Sequence, residues 1–441
     1  MISDFRERLV ANATGAQLFG RVLERLVSLG LLRRGGQQRT DATYVLSAVR
    51  VLSRLELVAE TMRLALEALA AYRPDWLRSI AQPHWYERYQ RMLTSFRLPR
   101  SPEKQTALAF EIGADGFYLL EAVERADAPS LAANLPEVET LRQVWAQQFE
   151  RKNGQIQWRP SKAIPPAAQL VATPHDAEAR YANRKHRVWT GYQVHLTETC
   201  DPEAPHLITH VETRPAPTAE VAVLDDVHRS LAEADLLPTD HLVDGGYMAA
   251  YTIVESQTKY GVHLIGPIAQ DTSWQAHLPQ GITADQFHID WEHQQAICPE
   301  GQVSNYWSAR LNHYHRPIID IQFPKERCDA CRARSRCTQA KTTGRTLKVG
   351  RDVDVILANR QAQHTDAFKT QYARRAGIEG TLSAAVRKQG ARRSRYIGQG
   401  KTHLQELLIA TAINLKRSAL WLMGYRPAGT RPARLTCLTS V

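Results

Sequence analysis

The spacing of apolar positions divides the chain into a helical beginning, a central part with strands and a helical end. Over residues 1–36, Leu18, Val22, Leu26 and Leu29 recur at the spacing of one helix face, and two consecutive glycines then end the pattern. This beginning is therefore predicted to be mostly helical. The same criterion predicts helix over 48–72, further helices to about residue 150, an amphipathic helix over 219–234, and helices from 355 to 421 with a break near 398–400.

Strand patterns occupy the middle of the chain. GYQVHLTE (191–198) and HLITHVET (206–213) alternate apolar and polar residues, and the turn-like loop between them predicts a hairpin. HLVDGGY (241–247) and GVHLIGPI (261–268) are short apolar runs, and TDATYV (40–45) is rich in residues that favour strands. The order of strand, strand, helix and strand predicts an α/β core with a mixed sheet.

Composition and charge narrow the class of protein. The chain has 441 residues, a formal net charge of +11 and a pI of about 9.4, values that favour nucleic acid or another polyanion as partner. The first residues, MISDFRERLV, lack the apolar segment of a signal peptide, and no apolar run approaches a membrane span. We therefore expect a cytoplasmic protein of two or three domains with no membrane partner.

Three acids occupy positions suited to phosphodiester chemistry. Asp41 lies in a predicted strand, Asp244 ends a predicted buried strand before two glycines, and Glu379 lies in a helix rich in Arg and Lys. Carboxylates from strand ends and a facing helix can hold two magnesium ions although they are distant in sequence. Taken singly, each acid has an ordinary alternative, namely a turn, a helix cap or a surface ion pair.

The segments around these acids resemble those of bacterial insertion-sequence transposases of the DDE type, which have a ribonuclease H-like catalytic core. The order and strand contexts match from about residue 37 to about residue 424. A signature of these transposases, Tyr, two residues, Arg, three residues and Glu, fits Tyr372, Arg375 and Glu379. The matching segments are RTDATYV, DAEARY followed by TGYQVHLTE, HLITHVET, HLVDGGY and YARRAGIEGTLSAAVR.

The resemblance implies that Asp41, Asp244 and Glu379 bind the catalytic metal, Mg²⁺ or Mn²⁺. Asp176, in DAEAR, is a rival for the first position because it also precedes the predicted hairpin. We prefer Asp41, since TDAT resembles the family's strand, in which a small residue and Thr follow the acid. Asp176 comes at the end of the Pro-rich segment 159–176, which we interpret as a linker.

Basic residues around Glu379 are expected to contact DNA. The resemblance assigns Tyr372, Arg375 and Arg387 to DNA contact or to support of the site. The signature places a Lys or Arg after six further residues, but that position holds Val386, and Arg387 comes one residue later. Arg and Lys bind phosphates without reading the base sequence. Further candidates are Lys388, Arg392, Arg393, Arg395 and the stretch NRKHR (183–187).

Four of the six cysteines lie in segment 270–345, where the regular pattern is lost. Cys328, Cys331 and Cys337 form C-x2-C-x5-C, and Cys298 precedes them in ICPEG. Four thiolates could close a tetrahedral structural zinc site. The alternatives are a four-cysteine iron–sulfur cluster and free buried thiols. His293, His313 or His315 could replace one cysteine, whereas Cys200 and Cys437 have no evident partner.

These expectations together give a fold class and a layout. We expect an α/β protein, with a ribonuclease H-like mixed-sheet core, a helical insertion and a small cysteine-rich insertion. The predicted parts are an N-terminal helical remnant (1–36), the first core strand with the helical insertion (37–175), the ribonuclease H-like core (176–269), the cysteine-containing insertion (270–345), a C-terminal helical part of the core (346–425) and a tail (426–441).

Three functions fit this pattern. The resemblance implies a transposase that binds double-stranded DNA at element ends and target, acts as a homodimer on DNA, and performs metal-dependent cleavage and strand transfer. An alternative is a truncated or inactive copy that only binds DNA, because family members usually have a larger N-terminal helical region. A host nuclease on the same fold is disfavoured by the Tyr–Arg–Glu spacing. Retention of all three acids favours a competent catalytic domain.

Overall fold

The computed structural model of the protein describes residues 2–50, 52–92, 94, 98–184, 187–312 and 316–426. Several positions named above lie outside the described residues, namely Lys185 and His186 of the basic stretch, His313, His315, Cys437 and residues 427–441 of the predicted tail.

The chain forms two compact units. The first consists of Met1–Arg33, Asp41–Ala219 and Ile378–Val441, and the second consists of Arg34–Thr40 and Glu220–Gly377. Each unit therefore combines segments that are distant in the sequence.

The chain begins with helices, as the apolar spacing predicted. The second helix buries Phe19, Leu23 and Leu26, whereas Leu18 and Leu29 stay about half exposed. The predicted first strand is confirmed, and it is longer than expected. The elements are α1 (Ile2–Ala11), α2 (Thr14–Ser28) and β1 (Gln37–Leu46).

A helical region with its own core follows β1. A capping box starts its first helix at Arg54 rather than at Ala48, because the Ser53 hydroxyl accepts the Glu56 N–H and the Glu56 carboxylate accepts the Ser53 N–H. Trp145 is fully buried at the centre of the region. The sequence predicted the helices but not the hairpin that ends the region. The elements are α3 (Arg54–Tyr72), α4 (Pro74–Ile80), α5 (Pro83–Arg88), α6 (Pro102–Val123), α7 (Pro136–Gln148), β2 (Phe149–Lys152) and β3 (Gln155–Trp158).

The Pro-rich segment 159–176 is more than a loose connection. Val171, Thr173 and Asp176 are buried, and Val171 packs into the core of the helical region. The interpretation of this segment as a simple linker is therefore wrong for its second half, because its side chains are part of a core.

The next strands, β4 (Arg180–Arg184), β5 (Arg187–Thr199) and β6 (Ile208–Pro215), belong to the first unit. β5 pairs antiparallel with β6, which confirms the predicted hairpin, and it also pairs antiparallel with β4, which the sequence did not predict. β5 borders β1 in the strand order, and the Ser47 N–H donates to the Thr190 carbonyl at 3.0 Å.

The second unit alternates helices with parallel strands, in α8 (Leu224–Glu233), β7 (Asp240–Leu242), α9 (Ala250–Tyr260) and β8 (His263–Ile265). Residues 37–39 of β1 pair in parallel with β7, which pairs in parallel with β8. Parallel and antiparallel pairing both occur, so the protein has the mixed α/β architecture that the sequence predicted.

Residues 270–345, where the sequence showed no regular pattern, fold into short antiparallel strands. Their small core contains Phe287, Ile321 and Phe323, and the four cysteines pack against it. The elements are β9 (His288–Asp290), β10 (Gln295–Ile297), β11 (Tyr306–Leu311), β12 (Pro317–Gln322), α10 (Lys325–Asp329), α11 (Arg334–Cys337) and β13 (Thr346–Val349).

Helices occupy the rest of the described chain, as predicted, and the last break falls at residues 390–398. A π-helical segment, Ala385–Gln389, directly continues the helix that carries Glu379. Among the described residues, no helix combines the length and the apolarity that crossing a membrane requires. The elements are α12 (Val353–Ala362), α13 (Asp366–Tyr372), α14 (Gly377–Ala384) and α15 (Gln399–Leu422).

Candidate active site

Two of the three predicted acids lie in or directly after core strands. Asp41 lies within β1, and its Oδ1 accepts the Ala42 N–H at 2.8 Å. Asp244 follows the end of β7 by two residues, and its Oδ1 accepts the Gly246 N–H at 2.7 Å. Both side chains are partly exposed, so both can receive a ligand from solvent.

The second glycine after Asp244, Gly246, leaves room for a second carboxylate. A Cβ on Gly246 would overlap the Glu220 carboxylate and would lie 2.9 Å from Asp244 Oδ1. Glu220 is buried, with 7% of its surface exposed. The Asp-Gly-Gly motif predicted close backbone approach but did not reveal Glu220. The sequence signal for Glu220 is weak, because it is one acid at the start of an amphipathic helix.

Arg375, predicted from the signature, lies beside Asp244. Its Nη2 is 3.9 Å from Asp244 Oδ2, and only 14% of the Arg375 side chain is exposed. Tyr372 of the same signature stacks on Phe368, with ring centroids 5.5 Å apart. In the second unit, therefore, the structure brings the second acid together with the signature arginine.

A second arginine, Arg39, fixes the backbone that follows Tyr372. Its guanidinium donates to the Arg374 carbonyl, and a Cβ on Gly377 would lie 2.6 Å from Arg39 Cζ. Gln371 Nε2 also donates to Asp240 Oδ2 at 2.8 Å. Sequence reasoning missed Arg39 because its position in a strand motif gave no indication of its partners.

Glu379 lies on the exposed side of α14, which confirms its predicted place in a helix. Ile378, Thr381 and Leu382 form the buried side of this helix. The spacing of these buried residues turns Glu379 outward, so its carboxylate is accessible.

A buried polar network ties α14 to β5 and α15. The Glu198 carboxylate is fully buried and accepts hydrogen bonds from Thr381 Oγ1 at 2.6 Å and from Arg417 Nη1 at 2.7 Å. Arg417 also donates to Thr381 Oγ1 at 2.5 Å and to the His206 carbonyl at 2.7 Å. Thr381 follows Glu379 by two residues, so these charge-assisted bonds hold the helix of the third acid.

The basic end of the signature lies in the π-helical segment that extends α14. Arg387 and Lys388 are exposed there, whereas Val386 is partly buried. The segment ends at Gly390, which has a left-handed backbone with φ of 75° and caps the turn. Arg387 and Lys388, both predicted to contact DNA, are thus accessible to solvent.

The second basic segment, residues 392–395, runs beside β1. The Leu46 N–H donates to the Arg392 carbonyl at 2.8 Å, and the Ser394 N–H donates to the Leu46 carbonyl at 2.8 Å. Arg392 Nε donates to Thr43 Oγ1 at 2.9 Å. Arg393 and Arg395 are exposed. In the first unit, therefore, the structure brings this basic segment to the strand of Asp41.

The rival first acid, Asp176, is enclosed in the core. It is 2% exposed, and its Oδ1 accepts the Tyr192 hydroxyl at 2.6 Å. Burial raises the pKa of Asp176, and the Tyr192 hydrogen bond opposes this shift. An enclosed carboxyl is poorly placed to bind a metal together with DNA.

The four predicted thiols, Cys298, Cys328, Cys331 and Cys337, line one pocket of about 30 Å³ in the second unit. The Gln302 N–H donates to Cys298 Sγ at 3.3 Å, and the Arg345 N–H donates to Cys328 Sγ at 3.4 Å. Burial raises the pKa of the Cys337 thiol to about 11. The remaining described cysteine, Cys200, is buried in the first unit.

Within the part of the chain that the structure describes, no three His, Cys, Asp or Glu side chains are arranged to hold a metal ion. The four thiols line one space, and side-chain rotation determines whether their sulfur atoms can meet around one ion. The ligand types suit the metals that the sequence predicted, since the carboxylates of the three acids suit Mg²⁺ and the thiolates of the cysteine pocket suit Zn²⁺.

Comparison with known protein families finds a match to part of the chain. Residues 297–419 match the family described as Transposase DDE domain. The matched part contains the four clustered cysteines, Tyr372, Arg375 and Glu379, and it ends within α15. None of the curated proteins compared with the chain matches it. Over this part of the chain, the match confirms the resemblance to DDE-type transposases that the motifs implied.

Proposed function

We propose that the protein cleaves DNA at the ends of an insertion sequence and joins the freed strands to target DNA. The observation that carries this proposal is the Tyr372, Arg375 and Glu379 signature within the matched transposase domain. The 3.9 Å approach of Arg375 to Asp244 supports it, because it links the signature to a second acid.

In this proposal Asp41, Asp244 and Glu379 hold Mg²⁺, or Mn²⁺ in its place. The bound ion would supply Lewis-acid stabilisation of charge on the reacting phosphate. Arg375 orients the Asp244 carboxylate, and Tyr372 supports the helix end that carries the signature. Arg387 and Lys388 bind the DNA backbone near Glu379, and Arg392, Arg393 and Arg395 bind it at further phosphates.

The partner is double-stranded DNA, at element ends and at the target. Bringing two ends together requires two sites, so we expect a homodimer on DNA. The basic composition, with a net charge of +11, favours attraction to DNA from a distance. This electrostatic attraction weakens with added salt, so the affinity for DNA is expected to fall between low and physiological ionic strength.

The proposal is tested by strand cleavage. Purified protein with Mg²⁺ or Mn²⁺ is incubated with a labelled duplex carrying the DNA that flanks its own gene, beside a Glu379→Gln variant. We expect nicks at one defined position that require both the metal and Glu379. The Gln side chain keeps the shape but removes the charge that binds the cation. DNA binding without cleavage in the unchanged protein would instead favour an inactive copy.

We propose in addition that Cys298, Cys328, Cys331 and Cys337 bind one structural Zn²⁺. All four line one small pocket, and two of them accept backbone N–H bonds at sulfur. The surrounding strands are short and their core is small, so a metal would supply much of the local stability. The same thiols could hold an iron–sulfur cluster, which would show visible absorption.

Metal content and chelation test the zinc site. The protein purified under reducing conditions is expected to contain one zinc per chain, and chelation is expected to lower the melting temperature. Cys331→Ser should lose the zinc. Cys200→Ser, which changes a buried thiol outside the pocket, should retain it. A protein without zinc or iron, or a Cys331→Ser variant with unchanged zinc content, would contradict the proposal.

A further inference from the structure

Two arginines share one aromatic ring at the end of β1. The Arg187 Cζ and the Arg392 Cζ each lie 4.6 Å from the centroid of the Tyr44 ring. Both distances are typical of cation–π contacts. Arg187 begins β5 and Arg392 lies in the basic segment beside β1, so the fold joins two basic stretches that are 205 residues apart in the sequence. We call Tyr44, Arg187 and Arg392 the Tyr44 clamp.

The Tyr44 clamp is held in place by its surroundings. The Tyr44 ring packs against Trp189, with centroids 5.8 Å apart, in a small apolar cluster of the first unit. Arg392 Nε donates to Thr43 Oγ1 at 2.9 Å, and its backbone carbonyl accepts the Leu46 N–H. Arg392 is therefore oriented before any ligand binds, which lowers the entropic cost of binding.

Among the described residues, neither guanidinium of the Tyr44 clamp forms an ion pair with a carboxylate. Both Cζ atoms lie within 4.6 Å of one point, so they are at most about 9 Å apart and repel each other. Each guanidinium keeps N–H donors for an anion, and planar forks of this kind suit phosphate oxygens.

We propose that the Tyr44 clamp binds one phosphate of the DNA backbone, outside the cleavage site. Side chains alternate across a strand, so Tyr44 and Asp41, three residues apart on β1, point to opposite sides. They are also separated by about 10 Å along the strand. The clamp therefore strengthens DNA binding and leaves the chemical step unchanged. The choice of DNA as the anion rests on the proposed function.

The experiment measures the affinity for a fluorescent duplex as a function of salt. In Arg187→Gln we expect the slope of log K against log salt to fall by about 0.9, the value for one lost phosphate contact. The cleavage rate at saturating DNA should not change, and Arg187→Lys should keep the slope. Arg142→Gln is the matched control, because Arg142 is engaged with Glu124 and Glu139 and its loss should leave the slope unchanged.

Failure of the Tyr44 clamp can be told apart from failure of the proposed function. If the unchanged protein binds DNA and Arg187→Gln has the same slope, the clamp proposal alone is overturned. If the unchanged protein does not bind DNA, the proposed function is overturned together with it. The unchanged protein and Arg187→Gln are also compared for binding to polyglutamate. If the substitution weakens polyglutamate binding without changing DNA binding, the clamp serves an acidic protein, and the proposal is overturned.

Discussion

Glu198 is a charged residue enclosed in the first unit. Its carboxylate is fully buried, and two side chains, Thr381 and Arg417, supply hydrogen bonds to it. Desolvation of a charge is costly, and it is offset only when the geometry of the pair is good. The network therefore holds the helix of Glu379 firmly as long as both partners are present.

Removal of Arg417 should expose this dependence. We expect Arg417→Met to lower the free energy of unfolding by about 3–5 kcal/mol, because it leaves the Glu198 carboxylate buried without its cation. Urea unfolding measures the change. Lys416→Met, on the exposed side of the same helix, is the control and should change stability by less than about 0.5 kcal/mol.

The double variant Glu198→Gln with Arg417→Met tests the physical reason for that loss. It should be more stable than Arg417→Met alone, since no charge then remains buried. Equal stability of the single and double variants would show that packing of the arginine, rather than its charge, sets the cost.

Individual candidate site residues could be predicted from the sequence where they lie within a recognisable motif. Asp244 and Glu379 lie where the motifs predicted, after a strand and in a helix. Glu220, Arg39 and Tyr44 could not be found in this way. Their importance comes from neighbours that are distant in the chain, and tertiary packing alone brings those neighbours together.

At the scale of elements, the π-helical segment gives a geometric reason why the basic residue of the signature, Arg387, comes one position later than expected. In a regular α-helix a residue seven positions on returns to nearly the same face, within about 20°. A π-helical turn holds one extra residue, so the same face is reached one position later. Arg387, eight positions after Glu379, is exposed as Glu379 is, whereas Val386 is partly buried.

This phase shift leads to a direct test. We expect Arg387→Gln to reduce cleavage by about tenfold to a hundredfold, the range for a lost charge-assisted hydrogen bond. Adding Val386→Lys to that variant should not restore activity, because position 386 faces partly inward. Arg387→Lys should keep most of the activity. Restored cleavage in the double variant would show that the helix phase plays no part.

Secondary structure was predictable where the pattern was long. The helices α2, α3 and α15 and the hairpin of β5 and β6 follow from periodicity. The hairpin of β2 and β3 and the strands β9 to β13 have between three and six residues each, too few to show a period. Their formation depends on a shared small core that no single segment reveals.

At the scale of the whole molecule, composition predicted the class of partner but not the division of the chain. The positive charge pointed to a polyanion, and the transposase domain agrees with that. The two compact units were not predictable, because β1 is one continuous strand in which Thr40 belongs to one unit and Asp41 to the other. Sequence patterns mark elements, whereas compact units depend on which elements pack together.

The bond between Glu198 and Arg417 also sets an order of events during synthesis. The arginine is made 219 residues after its partner, which takes on the order of 10–40 s at ordinary ribosomal speed. Until then the Glu198 carboxylate lacks its cation, and the helix of Glu379 lacks its anchor. A growing chain therefore cannot fix the helix of Glu379 in this way before residue 417 has been made.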